Sequence, residues 1–308
     1  MIYTVSLNPT LHYIAQVKNF GLGKINYSSF ETFILGSKGI HVSTMLNYLG
    51  HPSVAWGFLA GPTGEIIAAG LQKEQSFETD FIFLKQGFTR LKVTIHSTHE
   101  TELIGRGPIV TEDDLELLLK KTDILVPGDC LVLAGDVPFG VNPNIYGRFI
   151  EKVKDREVLT VVFASGELLK EALPHRPFLI KINQAELTSF FGEKPKDFLQ
   201  MLKFGTRLHH NGPHNILLSL GASGALLFAS NGKTLRIPGI KGQERNIEGP
   251  GESMVAGFLA GYLDTSNFIE ALKVGAAAGT ATAFSTTLAN RDTVIETLKL
   301  IPNPELLD

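Results

Sequence analysis

Asn246-Ile247-Glu248-Gly249-Pro250-Gly251-Glu252-Ser253-Met254-Val255-Ala256-Gly257-Phe258 runs a glycine-rich turn into an apolar helix whose first turn carries a carboxylate. Backbone N–H groups at such a helix start point at one spot, suited to a phosphate or to charge that develops in phosphoryl transfer. Glu252 there is in reach of the proton of an attacking hydroxyl. Taken alone, the segment also fits an ordinary helix start, with Pro250 at the first position and an acidic residue behind it. The rest of the chain decides between the two.

Working outward, strand-like runs alternate with helical patterns. Ile2–Leu7, Ser53–Leu59, Asp129–Ala134, Val158–Phe163, Phe178–Lys181 and Asn215–Leu220 are short and β-branched or aliphatic. Ile40–Leu49, Glu65–Gln75, Glu112–Lys121, Pro143–Lys154 and Phe198–His209 have helical spacing, and Glu252–Leu263 and Asn267–Phe284 are helical and rich in Ala and Gly. This alternation predicts an α/β fold with a mainly parallel sheet covered on both faces, and ligands at the carboxyl ends of its strands. Tyr13–Phe33 and Phe88–Ile104 interrupt it with strand spacing and no helix between; the second reads as a hairpin around Ser97–His99. They predict a small sheet beside the main one. Its apolar side chains, Ile14, Val17, Phe33, Ile34, Leu91, Val93 and Ile95, are expected to form one face needing cover, from a lid contact between two copies.

Composition narrows the function. Of 308 residues, 44% are apolar and 19% charged, enough for a sizeable core and too hydrophobic for disorder. The 28 basic and 31 acidic residues leave a net charge of -3, which argues against nucleic acid or a membrane surface as a bulk-charge partner. The single cysteine, Cys130, excludes an intramolecular disulfide framework and a multi-thiolate zinc cluster, and its apolar neighbours predict a buried, inert thiol. Met1-Ile2-Tyr3-Thr4-Val5 reads directly as a strand, with no basic stretch followed by an apolar core, so a cytoplasmic chain is expected. Gly232-Lys233-Thr234 is no P-loop, because Leu227 stands where the earlier glycine is required; Asn231-Gly232 reads as a type I′ hairpin turn. No G-x-G-x-x-G follows a strand, so a dinucleotide fold has no support.

Four further segments weigh against the ordinary helix start. Ser219-Leu220-Gly221-Ala222-Ser223-Gly224 is a tight glycine loop after a strand, Lys181-Ile182-Asn183-Gln184-Ala185-Glu186 ends a strand and opens a helix, and Gly36-Ser37-Lys38-Gly39-Ile40-His41 turns through glycine into another helix. With the opening Ser6-Leu7-Asn8-Pro9-Thr10, they make the chain resemble the PfkB carbohydrate kinases along essentially its whole length, nearest the 1-phosphofructokinase and tagatose-6-phosphate kinase branch. The resemblance implies a ribokinase-like three-layer α/β/α fold in one domain over 1–308, with a β-sheet lid at about 11–35 and 87–106. It also implies a homodimer through the lid, and ATP- and Mg²⁺-dependent transfer of a γ-phosphoryl group to a sugar-phosphate hydroxyl.

By resemblance, Lys181, Asn183, Gly251 and the segment Ser219, Leu220, Gly221, Ala222, Ser223, Gly224 serve ATP, and Asn183 and Glu186 organise magnesium through water. Glu252 is the expected base, Gly249, Pro250 and Gly251 the anion hole, and Lys38 a catalytic cation. His12, Gly36, Ser37, His41, Arg90 and Asp136 are the expected acceptor site, with Lys38 and Arg90 holding phosphate. Here the chain departs from the family. His12 replaces an aspartate, Ser37 a glycine, His41 an asparagine, Asp136 a serine, Lys92 an asparagine, Thr94 a lysine, Tyr27 an arginine and Ile104 an asparagine, and the usual G-A-G-D reads Gly249-Pro250-Gly251-Glu252. Proline removes one backbone donor, and glutamate moves the carboxylate by one methylene. Asp136 is expected to supply the carboxylate that His12 lacks, and Lys38 the donor that Pro250 lacks. The rival expectation is a regulator that binds nucleotide and sugar phosphate with little catalysis.

Overall fold

The computed structural model describes residues 1–74, 77–246 and 248–307. Ile247 of the glycine turn and Gln75, the end of one expected helix, lie outside the described residues. The chain opens with β1 (Ile2–Ser6), β2 (Thr10–Val17), β3 (Ser28–Gly36), α1 (Lys38–Tyr48), β4 (Ser53–Ala60), α2 (Gly61–Glu74) and β5 (Glu78–Leu84). A hairpin of β6 (Arg90–His96) and β7 (Thr101–Ile104) follows, then α3 (Glu112–Lys120), β8 (Cys130–Ala134), α4 (Ile145–Val153), β9 (Leu159–Phe163) and α5 (Gly166–Ala172). Next come β10 (Leu179–Asn183), α6 (Gln184–Phe191), α7 (Phe198–His210), β11 (Ile216–Ser219), β12 (Gly224–Phe228) and β13 (Thr234–Pro238). The chain closes with α8 (Pro250–Thr265), α9 (Phe268–Ala283), α10 (Arg291–Leu300) and β14 (Glu305–Leu307).

The large sheet has the order β14-β13-β12-β11-β10-β9-β8-β1-β4-β5. Strands β5 to β11 in that order run parallel, and β12, β13 and β14 complete one edge antiparallel. Because successive side chains point to opposite faces and both faces are covered, the central strands are apolar almost throughout. On β8, Leu131 and Leu133 enter the core beneath α3, α4, α5 and α7, whereas Cys130, Val132 and Ala134 enter the core beneath α1, α8, α9 and α10. Each fully buried Leu or Val contributes roughly 1.5–3 kcal/mol relative to exposure. Burial pushes the Cys130 thiol up to about 12, consistent with an inert core residue. Helices on both faces of a mainly parallel sheet give the ribokinase-like three-layer arrangement. Among the described residues, no helix is long and apolar enough to cross a membrane.

Strand β5 was not legible as a sheet member: its polar start, Glu78-Thr79-Asp80, masks a parallel pairing with β4 at the sheet edge. The Asn231-Gly232 hairpin is present, but not as a type I′ turn. Gly232 alone of the pair has positive φ; the Ala229 N–H donates to the Lys233 carbonyl while the Ala229 carbonyl accepts from the Gly232 N–H, which encloses a three-residue loop with Gly232 as its bulge.

The second sheet, β3-β2-β6-β7, stands over the carboxyl end of the first. Its register corrects the expectation of one apolar face. Phe33 and Val93 lie opposite Tyr13, and Leu91 opposite Leu11, so these side chains share a face; Ile34 and Lys92 lie opposite His12 and share the other with Ile14. Val17 is buried. Leu11 packs on Ile40, Leu59, Ile67 and Leu71, which covers the base of the first face and leaves Phe33, Leu91 and Leu103 exposed beyond it.

Candidate active site

The His12 face of the small sheet closes over a cavity of about 460 Å³ at the carboxyl ends of the parallel strands. A larger cavity of about 580 Å³ lies at the opposite strand ends, between Met1, Ser53 and Phe77, but among the described residues its only charged side chain is Glu78. Chemistry, not volume, selects the first. His12, Gly36, Ser37, Lys38, His41, Arg90, Asp136, Lys181, Asn183, Glu186, Gly249, Gly251 and Glu252 all line it, together with Thr10, Ile34, Lys92, Ile104, Phe163 and Glu248. Ser219 to Gly224 do not. They span the end of β11, the turn after it and the start of β12; Ser219 lies opposite Asn183 in the ladder, Leu220 is buried, and Gly221 to Ser223 are exposed.

Local sequence sets each wall. At the start of α8, Gly249 has φ +103°, which only glycine adopts without strain, and Pro250 takes the first helical position. The first intrahelical bond runs from the Ser253 N–H to the Gly249 carbonyl, so the Gly251 and Glu252 amides have no intrahelical acceptor. Gly251 lies close against the cavity floor: a Cβ there would stand 3.0 Å from Lys181 Nζ and 3.1 Å from Phe163 Cζ, so both side chains would have to give slightly. Ser253 Oγ and Thr282 Oγ1, buried and 2.8 Å apart, fix α8 to α9 behind the site. Ser37 caps α1 and donates to Ser6 Oγ at 2.7 Å, and the His41 ring fills the space that a side chain on Gly36 would need.

At the start of α6 the Asn183 side chain accepts from the Glu186 N–H and Glu186 Oε2 accepts from the Asn183 N–H, each at 2.8 Å. This capping box is the Asn-x-x-Glu pattern at a helix start, with Asn183 at the cap and Glu186 three residues on. It leaves Glu186 Oε1 for another partner. No group of three metal-ligating side chains exists among the described residues. One free carboxylate oxygen in the cavity, with two lysines in the same cavity, fits magnesium, which keeps several of its waters.

The departures on the small sheet prove to be coupled. His12 does not pair with Asp136. Its Nδ1 lies 3.5 Å from Glu248 Oε2 and its Nε2 2.7 Å from Thr94 Oγ1. Lys92 Nζ donates to Glu248 Oε1 and Glu102 Oε1, each at 2.7 Å, and Thr94 Oγ1 donates to Glu102 at 3.2 Å. His12, Thr94, Glu102, Lys92 and Glu248 thus form a closed ring that joins the small sheet to the loop before α8. The His12 imidazole, followed by Lys92, holds the Glu248 carboxyl down to about 2. Asp136 instead meets Arg90 at 3.4 Å, and Arg90 Nε donates to Thr10 Oγ1 at 2.7 Å, so the Arg90 guanidinium is already engaged. Glu248 was visible in the sequence as a carboxylate just ahead of the glycine turn, but nothing linear tied it to residues on another sheet.

Lys38 and Lys181 complete the electropositive side. Lys181 is buried, and desolvation moves its ammonium below the ordinary lysine range; Lys38 adds to that, whereas Glu186 and Glu252 oppose it.

The model of the pfkB family carbohydrate kinases matches residues 12–293. The chain is 38% identical over 299 residues to a 1-phosphofructokinase of Bacillus subtilis, covering 97% of each. It is 30% identical to a D-tagatose-1-phosphate kinase of Bacillus licheniformis, covering 92% of this chain and 93% of that one. Phosphofructokinase-2 from Escherichia coli, solved with substrates and products, shares the fold at a TM-score of 0.89 and 23% identity, covering 97% of this chain and 99% of that one. A carboxylate at the glycine-flanked start of α8, two lysines beside it and this family match make one conclusion: the chain belongs to the pfkB family of carbohydrate kinases, phosphotransferases with an alcohol group as acceptor.

Proposed function

We propose that the chain transfers the γ-phosphoryl group of ATP to a hydroxyl of a phosphorylated ketohexose of the fructose 1-phosphate or tagatose 6-phosphate type. The observation that carries this reading is the convergence of Lys38, Lys181, the open start of α8 and Glu252 on one cavity. Glu252 takes the proton of the acceptor hydroxyl as its oxygen bonds to the γ-phosphorus; the bond to the bridging oxygen breaks, and ADP leaves with that electron pair. The Gly251 and Glu252 amides, with Lys38 and Lys181, meet charge on the transferring group. Glu186, and Asn183 through water, would hold magnesium, which would neutralise phosphate charge when bound. The Ser219–Gly224 turn lies along the remainder of the nucleotide.

On the acceptor side, Glu248 takes over the hydroxyl-binding task of the aspartate replaced by His12, and the ring keeps it ionised and oriented. Glu248→Gln should therefore raise the acceptor KM roughly tenfold, the loss of one charge-assisted hydrogen bond, and leave the ATP KM within about twofold. Equal changes in both constants would remove Glu248 from acceptor binding. Residues 11–35 and 87–106 act as a lid on a single domain. Two copies pair through the exposed Phe33, Leu91 and Leu103; light scattering that reports a monomer at micromolar concentration would exclude it. A cytoplasmic enzyme, supplied with ATP and phosphorylated sugars, fits this role.

The test is ADP release with ATP and magnesium over a panel of phosphorylated ketohexoses. Stimulation well above the acceptor-free rate by one of them is expected. Nucleotide binding without stimulation by any would favour the regulator.

A further inference from the structure

Phe163 ends β9 at the floor of the cavity and is 3% exposed. Two ammonium groups from different elements sit on its one ring: Lys38 Nζ, from the start of α1, 4.4 Å from the centroid, and Lys181 Nζ, from β10, at 4.8 Å. Its Cζ and Lys181 Nζ are also the two atoms closest to where a side chain on Gly251 would begin. The ion pairs at this end of the sheet engage Arg90 and Lys92, but among the described residues neither Lys38 nor Lys181 has one.

This is an unusual way to hold two like charges together. A carboxylate at the same place would hold them more strongly and neutralise them in doing so. An aromatic face attracts an ammonium through its quadrupole and carries no net charge. The ring therefore holds both ammonium groups without an ion pair that would cancel charge meant for a polyanion such as a phosphoryl group in transfer. The ring also fixes position: a lysine is a mobile point charge on a flexible stem, and the face restricts where its head can rest.

We propose that Phe163 is a positioning residue for phosphoryl transfer, its ring holding Lys38 and Lys181 in register with the Gly251 amide. The inference rests on the kinase reading for its outcome in turnover, but not for its effect on polyphosphate binding.

Ring electrostatics can be changed without changing shape. Phenylalanine carrying one, two or three fluorines is placed at position 163, and each protein is measured for kcat at saturating substrates, for the Kd of a non-hydrolysable ATP analogue and for Tm. Progressive fluorination strips the ring face of negative charge. A stepwise loss in kcat reaching roughly tenfold at three fluorines is expected, with a parallel rise in Kd and an unchanged Tm. In a Lys38→Met background, where the ring holds one cation, the series should be markedly shallower. A series flat in both kcat and Kd overturns the proposal, as does a loss tracking Tm or a slope indifferent to Lys38→Met. If the analogue binds and Kd follows fluorination while no variant turns over, the kinase reading fails and the ring's hold on the lysines stands.

Discussion

Glu252→Gln should lower kcat by about 10²- to 10⁴-fold, the usual contribution of a general base, while the ATP Kd changes by less than about threefold. The substitution keeps the size of the side chain and removes only its ability to accept a proton. Glu252 sits on the first turn of α8, beside the free Gly251 amide, and its helix is fixed by the buried Ser253–Thr282 contact. Folding should therefore survive, and a Tm within a few degrees of the parent is the control. Glutamine also removes a negative charge near Lys181, so nucleotide affinity should hold or rise slightly. Glu252→Asp retracts the carboxylate by one methylene and should leave measurable turnover, since a shift of about 1 Å costs on the order of 10². A loss below about threefold in Glu252→Gln would show that another group takes the proton.

The second large effect concerns Pro250. Its ring nitrogen cannot donate, so the start of α8 presents the Gly251 and Glu252 amides with one fewer neighbour than a non-proline residue would supply. Lys38, on the same aromatic ring as Lys181, is placed to replace that donor with a point charge. Lys38→Met should cost about 10²- to 10³-fold in kcat in the parent chain, similar to loss of an oxyanion donor. In a Pro250→Ala chain, where the amide is restored, the same change should cost roughly tenfold less. The cycle is read in kcat at saturating acceptor, so that weaker acceptor binding does not enter. Strictly additive losses would contradict the substitution of one donor by the other. A rise confined to the acceptor KM would instead assign Lys38 to the phosphate that the acceptor already carries.

The centre of the main sheet was legible because its strands are buried on both faces and therefore continuous in apolar residues, whereas the edge strand β5 begins with exposed polar residues and was not. The small sheet was legible as strands, yet its faces were not: Phe33 and Ile34 are neighbours in sequence and point to opposite sides, and only the register against Tyr13 and His12 separates them. The site followed the same division. Glu252, Lys38, Lys181 and the Asn183–Glu186 box sit at strand-to-helix turns, where glycine, caps and charge mark the chain locally. The partners of the acceptor wall do not. His12 and Glu248 are brought together by the fold of a loop onto another sheet, so the carboxylate expected from Asp136 comes from Glu248, while Asp136 meets Arg90. Phe163 gives no linear signal at all: an apolar residue at a strand end reads as core, and only the two ammonium groups on its ring set it apart.

The most direct measurement is the fate of the γ-phosphorus. ATP labelled there is mixed with the enzyme, magnesium and the acceptor that best stimulates ADP release, and the products are separated. The expected result is label in a sugar bisphosphate, one equivalent for each ADP formed, with Glu252→Gln forming neither at a comparable rate. Label that appears only as inorganic phosphate, or stays in ATP while the nucleotide is bound, would contradict transfer to a sugar-phosphate hydroxyl.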